Sequence, residues 1–371
     1  VPGTPGTHVP ADEATDDGRI MRWEGVYVAG TGSWLPEPVP AESAVQDGRY
    51  DPEQAAADDL VSVRVASEET APPDMAVEAA VTALKRSGLD AHDVELLVHT
   101  GIWFQGVEMW PAASYVAGHA LGRHVPAFGM RQECNASLGA LEVAARHVQS
   151  GPPTAAAMVT TADRFGEPMI QRWSSEPGFV YGDGATAMLL SRRGGFARLL
   201  STVTGADNSL EAVVRGEGFA PRPTNEPLDL AGRVEHFIRT SSGGFRMATE
   251  RVSAVVREVV ATVLTEAGTD LNGIARVVVP ASGRSRMDWQ VRQMLGIDMA
   301  KSTWDFARQA GHLGAGDQFA GFDHLVETGQ VRKGDKVLLV GGGSGFSCTC
   351  AVVQMTEEPE WAQTDVRAEA S

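Results

Sequence analysis

"ALKRSGLDAHDVELLV" (83–98) and "VLTEAGTDLNGIARVV" (263–278) share one pattern. Leu84 matches Leu264, Gly88 matches Gly268, Asp90 matches Asp270 and Val94 faces Ile274, all at a separation of 180 residues (264 − 84). Each copy reads as a helix, a glycine stop and a buried strand. A second pair of segments keeps nearly the same separation: Cys134 and His312 lie 178 residues apart (312 − 134). Each is followed 17 residues later by a glycine, Gly151 or Gly329, and then by a strand. Two independent segments with matching offsets imply a duplicated chain rather than chance likeness in an Ala- and Val-rich sequence.

Working outward, short β-rich runs ("GVYVAGTG", "VELLVHTG", "AAAMVTT", "ATAMLLSR", "ARVVVPAS", "KVLLVGGG", "CTCAVVQM") alternate with amphipathic helical stretches, which predicts an α/β protein. The halves are read as 21–193 and 194–355. Residues 1–20, rich in Pro, Gly and acid, read as a disordered leader or a scar of expression, with Met21 a plausible start, and 356–371 as a tail. With 371 residues and 43% hydrophobic content the chain can bury a sizeable core. It has no run of 18 apolar residues and no basic-then-apolar leader, so no membrane association is expected and the cytoplasm is the default location. A net charge of −17 argues against nucleic acid as a partner and favours small molecules as ligands. Cys348 and Cys350 read as small buried strand residues. The histidines other than His312 show no ligand spacing, so no metal is expected.

Cys134 opens an apolar-periodic run (Leu138, Leu141, Ala144, Val148), which predicts a place in the first turn of a helix. Unpaired amides and the helix dipole there would stabilise a thiolate and lower its pKa. An inert core cysteine would look the same. If the two halves pack about a pseudo-twofold axis, the equivalent helix starts meet and bring His312 within reach of Cys134. Asp317, five residues after His312 at the start of the next helix, reads either as a favourable first-turn charge or as the group that orients His312. "GGGSGF" (341–346), after "KVLLV", can present backbone N–H groups to an oxyanion or be a plain turn. It lacks the GK[ST] ending of a phosphate loop. Two long segments, 163–178 and 205–245, are expected to shape an acceptor pocket.

Taken together, "AFGMRQECNASLGALEVAARHVQSG", "GDGATAMLLSR" and "KGDKVLLVGGGSGFSCTCAVV" resemble the ketoacyl-ACP synthase III group of thiolase-fold enzymes, over about residues 22–354. The resemblance implies a five-layered αβαβα thiolase fold from two duplicated halves, a homodimer, and an acyl thioester on Cys134. It also implies an oxyanion hole from the amides of Cys134 and Ser344, and no cofactor beyond an acyl-CoA or acyl-ACP substrate. Arg286, with Arg284 nearby, matches an arginine that in this family faces the carrier protein. Two departures carry information. Ala281 stands where the family has a catalytic His, and His312 where it has an Asn, so the implied set becomes Cys134, His312 and Asp317. Decarboxylative condensation uses the family's His and Asn together as donors to an enolate, so it is poorly supported here. A base that deprotonates an attacking hydroxyl remains. A branch of the family with this pattern acylates polyketides and their sugars in antibiotic pathways, which implies transfer of malonyl or another small acyl group to a hydroxyl of a glycosylated polyketide-type acceptor. The family's adenine-stacking stretch has no match in 58–74. The alternatives are a decarboxylative synthase that uses His312 alone and an inactive accessory subunit of a polyketide synthase.

Overall fold

The computed structural model describes residues 22–221 and 226–362. The leader read at 1–20 lies outside them. The strands run β1 Tyr27–Trp34, β2 Pro38–Pro40, β3 Ser62–Arg64, β4 Val94–Thr100, β5 Ala127–Met130, β6 Ala156–Asp163, β7 Gly184–Ser191, β8 Ala197–Ala206, β9 Arg276–Val278, β10 Lys336–Val340 and β11 Ser347–Met355. Nine of them form one mixed sheet in the order β5-β4-β6-β7-β1-β8-β11-β10-β9, and β2 and β3 make a separate ribbon.

The repeat read from the sequence is visible in this order. From the β1/β8 junction outward, β1 corresponds to β8, β7 to β11, β6 to β10 and β4 to β9. Antiparallel pairings come first on each side, and the parallel ones (β6 with β4, β10 with β9) come next. The start of β6 at Ala156 and of β10 at Lys336 repeats the separation of 180 (336 − 156). The counterpart of β5 shrinks to a single parallel bridge between Val277 and Ser302.

Period-two alternation builds the layers, because neighbouring side chains of a strand face opposite sides of the sheet. Val98, Val159 and Leu190 of the first half and Leu339 and Val353 of the second point inward, into one cluster with Leu138, Leu141 and Phe319, Phe322. Those residues belong to two central helices, Ala136–Ser150 and Asp317–Glu327. Their neighbours Leu97, Met158 and Leu189 point outward onto helix Pro72–Ser87, and Leu338 and Val352 onto helix Gly244–Glu266. Helix, sheet, central helices, sheet, helix is the five-layered arrangement of the thiolase fold. Each fully buried Leu or Val contributes about 1.5–3 kcal/mol. Close layer contact also dictates the glycines of β1: a Cβ on Gly30 or Gly32 would stand 2.1 Å from Ala83 O or 2.4 Å from Ala79 O.

The chain read as a tail from 356 is part of the body as far as 362. Trp361 meets the Phe196 ring edge-on at 5.7 Å and lies beneath the Arg86 guanidinium at 4.1 Å, and Ala362 is buried in the inner cluster. Its acidic composition masked this one aromatic anchor. Strands β5 and β8 are not among the β-rich runs of the sequence reading. β5 is short with two exposed residues, and β8 interleaves Ser and Thr with its apolar positions. Among the described residues no helix is long and apolar enough to cross a membrane.

Candidate active site

Cys134 occupies a one-turn 3-10 segment, Glu133–Asn135, that leads directly into helix Ala136–Ser150. A matching segment, Gly314–Gly316, leads into helix Asp317–Glu327. The two helix starts are therefore 181 residues apart (317 − 136), and the structural counterpart of Cys134 is Ala315. His312 sits three residues earlier, in the loop that pairs with Tyr181. The separation of 178 read at the glycine ends differs because the second helix has 11 residues against 15. The helix starts do meet: Ser137 Oγ lies 3.1 Å from Gln318 Oε1, a contact between equivalent positions (318 − 137 = 181).

The structure brings Cys134, His312 and Asp317 together. Cys134 Sγ is 3.1 Å from His312 Nε2, and His312 Nδ1 is 2.6 Å from Asp317 Oδ2. An ionised carboxylate only accepts, so Nδ1 carries the proton toward Asp317 and Nε2 faces the thiol. Asp317 is fixed by two backbone donors, Ala281 N–H to Oδ2 at 2.7 Å and Leu313 N–H to Oδ1 at 2.8 Å. His312 is fixed in turn by its main chain, which donates to Val180 O and accepts from Gly182 N–H. Burial alone would depress the His312 pKa, but the charges of Asp317 and Cys134 and their hydrogen bonds outweigh it and raise it well above its ordinary value.

The thiol departs from the sequence expectation. Its pKa lies above the ordinary value, because burial disfavours the thiolate more than His312 favours it, and Glu176 and Asp317 add repulsion. The short 3-10 turn does not make Cys134 a standing thiolate. A proton must pass to His312.

Around the thiol the backbone is tightly held. Glu133, just before it, has φ +49°, a conformation costing about 1–3 kcal/mol for a non-glycine residue. Asn135 clamps the turn to β11: its Oδ1 accepts from Thr349 N–H at 2.8 Å, and its Nδ2 donates to Thr349 Oγ1 and Gln132 Oε1. Gly343 packs so near that a Cβ there would lie 2.3 Å from Gln132 O. The 341–346 loop thus abuts the nucleophile turn, with Ser344 exposed beside it. Asp163, at the end of β6, accepts from the amides of Ile102, Trp103 and Ala315, and burial lifts its carboxyl to about 7. It ties the second helix turn to the 101–103 loop.

Over the imidazole lies a turn, residues 176–179. Phe179 and Tyr181 place their rings 4.9 and 5.6 Å from that of His312, and Tyr181 OH donates to Glu176 Oε2 at 2.7 Å. The Arg286 guanidinium lies 4.3 Å from the Phe179 ring centroid, while Arg284 lies 5.2 Å from that of Trp304. Among the described residues no cluster of His, Cys, Asp and Glu is placed to hold a metal.

Models of the 3-oxoacyl-[acyl-carrier-protein] synthase III family match residues 128–208 and, for its C-terminal part, 264–355. The β-ketoacyl-[acyl-carrier-protein] synthase III of Neisseria meningitidis serogroup B is 26% identical over 337 residues, 88% of this chain and 98% of the relative. The structure of ChlB3, an acyltransferase, is 38% identical with a TM-score of 0.85, covering 91% of this chain and 99% of ChlB3. This chain is a synthase III-like acyltransferase of the thiolase superfamily. A synthase III from Xanthomonas oryzae pv. oryzae, 19% identical with a TM-score of 0.71 over 90% and 100% of the two chains, shares the fold.

Against the synthase III pattern, the change at Ala281 has a structural counterpart. Ala281, which the sequence resemblance sets at the position of a family His, contributes its backbone amide to Asp317 and so supports a carboxylate behind His312. Sequence reading missed Asn135, Asp163, Tyr181 and Glu176. Three of them left a trace: Asn135 adjoins Cys134, Asp163 ends a strand run, and Tyr181 precedes the "GDGA" motif. Glu176 left only its place in the 163–178 segment read as shaping an acceptor pocket.

Proposed function

We propose that this acyltransferase moves a small acyl group from a CoA or carrier-protein thioester, through an acyl-Cys134 intermediate, to a hydroxyl of a sugar or polyketide-type acceptor. The observation that carries this reading is the continuous chain Cys134 Sγ, His312 Nε2, His312 Nδ1, Asp317. His312 takes the thiol proton as Cys134 attacks the thioester carbonyl, and returns it to the departing CoA or carrier thiol. The thiolate formed in this step becomes a neutral thioester, which removes one of the influences that raise the His312 pKa and leaves the ring neutral to accept the acceptor's hydroxyl proton. The hydroxyl oxygen then attacks the acyl carbonyl, the C–S bond breaks, and Cys134 recovers a proton from His312. The amides of Cys134 and Ser344 serve the tetrahedral oxyanion, a role supported by the contact of Gly343 with the nucleophile turn.

Malonyl is the acyl group implied by the family branch, and with Ala281 in place of the family's second donor it would keep its carboxylate. Contact of Arg286 with a carrier protein, as the resemblance implies, is supported by its exposure beside Phe179, while Arg284 lies against Trp304. A homodimer is supported by the edge strand β5, whose exposed Phe128 borders an apolar groove with Leu96, Val98, Met130 and Val143. Phe128→Lys should therefore lower the mass found by sedimentation. The test of the function is Cys134→Ala: both acyl loading seen by intact mass and transfer to a hydroxyl acceptor should vanish, and an acylated variant would exclude Cys134 as the carrier.

A further inference from the structure

The duplication gives the edge of each half a matching recess, and the two recesses have opposite chemistry. In the first half the groove beside β5 is walled by Leu96, Phe128 and Val143. Leu96 pairs with Ala157 on β6 and Arg276 with Val337 on β10, so Arg276 is its counterpart, at the repeat separation of 180 (276 − 96). Phe128 follows Ala127, the partner of Leu97, and Thr303 follows Ser302, the partner of Val277, so these two correspond as well. Val143 and His324 keep the separation of 181 (324 − 143) found at the two helix starts. Leu, Phe and Val in one half are therefore Arg, Thr and His in the other, where they line a cavity of about 250 Å³. Its walls are held in place. Arg276 Nη1 donates to Ala300 O at 2.7 Å and its Nη2 donates to Gln330 Oε1. The His324 ring stacks on Phe306 at 4.7 Å, and burial and the charge of Arg276 keep its pKa below the ordinary value against the pull of Asp305. Arg284, half-buried, lies 5.2 Å from the Trp304 ring centroid, and among the described residues no hydrogen bond or ion pair occupies its N–H groups. The carboxylate of the lining, Asp305, is exposed to water. Two guanidinium groups against one solvated carboxylate leave the cavity cationic.

We propose that this cavity is a binding site for a small oxyanion, a phosphate- or carboxylate-bearing metabolite, with Arg284 as the group that meets it. A guanidinium offers either anion two parallel N–H bonds, and such charge-assisted pairs are stronger than neutral ones. The ligand is small, because the cavity falls below the about 300–1,000 Å³ of pockets that hold drug-sized molecules. The apolar groove of the first half can be covered by another apolar surface at no polar cost. The same recess walled by Arg, Thr and His cannot, since a covered cation needs a partner of opposite charge. The site is separate from acyl transfer and needs neither Cys134 nor His312. It also parts the two neighbouring arginines, with Arg284 lining the cavity and the Arg286 guanidinium resting on Phe179.

Calorimetric titration of the full chain in a chloride buffer, with inorganic phosphate and with succinate as separate probes, tests the site. The proposal expects saturable one-to-one binding of at least one probe with a Kd in the millimolar range or tighter, and the tighter of the two tells a phosphate from a carboxylate ligand. Arg284→Gln should weaken that binding about tenfold or more. Arg246→Gln, which removes the same charge from an exposed helix position outside the cavity, should leave it unchanged. Prior alkylation of Cys134 with iodoacetamide should leave it unchanged too, which separates this site from the catalytic one. If the melting temperature shows Arg284→Gln to be misfolded, Arg284→Lys takes its place: it keeps the charge, loses the two-bond fork, and should also bind more weakly than wild type. The proposal is overturned by the absence of saturable binding of both probes, by wild-type affinity in the folded Arg284 variant, or by loss of binding on alkylation of Cys134.

Discussion

His312 sits between two groups that, in the proposed mechanism, act on it differently in the two half-reactions. In the free protein Asp317 and Cys134 both favour its protonated form, and in the acyl form only Asp317 remains to do so. His312→Ala should slow transfer about 10²- to 10⁴-fold, the usual worth of a general base, with the melting temperature nearly kept. Asp317→Asn removes the larger of the two charges that offset burial, so the His312 pKa should fall, which ring NMR titration reads directly. The stability consequence has a definite sign. A histidine whose folded pKa is raised contributes stability that is fully present below its unfolded pKa of about 6.5 and is lost as pH rises through the folded value. The melting-temperature gap between wild type and Asp317→Asn should therefore be widest at acid pH and close toward alkaline pH. A first-turn charge alone would give a gap of about 0.3–1 kcal/mol with no such dependence on His312. Cys134 and Asp317 were legible in sequence because each stands where an apolar-periodic helix begins, and His312 because it lies between glycines just ahead of the second such helix. The direction of the thiol shift was not, since burial depends on groups far away in the chain.

At the scale of elements, the packing of β1 on helix Pro72–Ser87 depends on the absence of side chains at Gly30 and Gly32. Gly32→Ala places a Cβ against backbone that cannot move aside, so it should destabilise by about 1–3 kcal/mol and lower the melting temperature. Gly118→Ala, at an exposed position of helix Ala112–Ala120 with nothing within 4 Å, should instead stabilise by about 0.8–1 kcal/mol. Calorimetry of the pair checks both signs. The repeat and most of the strands were readable because a short continuous run of small and apolar residues marks a strand buried on both faces between helices, and glycine stops mark helix ends. The register of the two central helices was not, because their lengths differ by four residues and only the packed structure shows that Ser137 opposes Gln318. The clamp of Asn135 on Thr349 was equally invisible, since it spans 214 residues.

For the whole molecule, duplication explains why chemistry is found where the halves meet: two helix starts converge, one bearing a thiol and the other, through the loop before it, a histidine and its carboxylate. The halves have since diverged at their edges, with β5 a true strand on one side and its counterpart a single bridge on the other. They have diverged at the site too, where Ala281 lends only its backbone to Asp317. On the proposed reading, that last difference favours acyl transfer over condensation. The most direct measurement uses a malonyl thioester labelled at its free carboxylate, with the label on Cys134 followed against total bound acyl. The account predicts that label and acyl stay in constant ratio and move together to a hydroxyl acceptor. Release of the label as CO2, with a carbon–carbon bonded product, would contradict it.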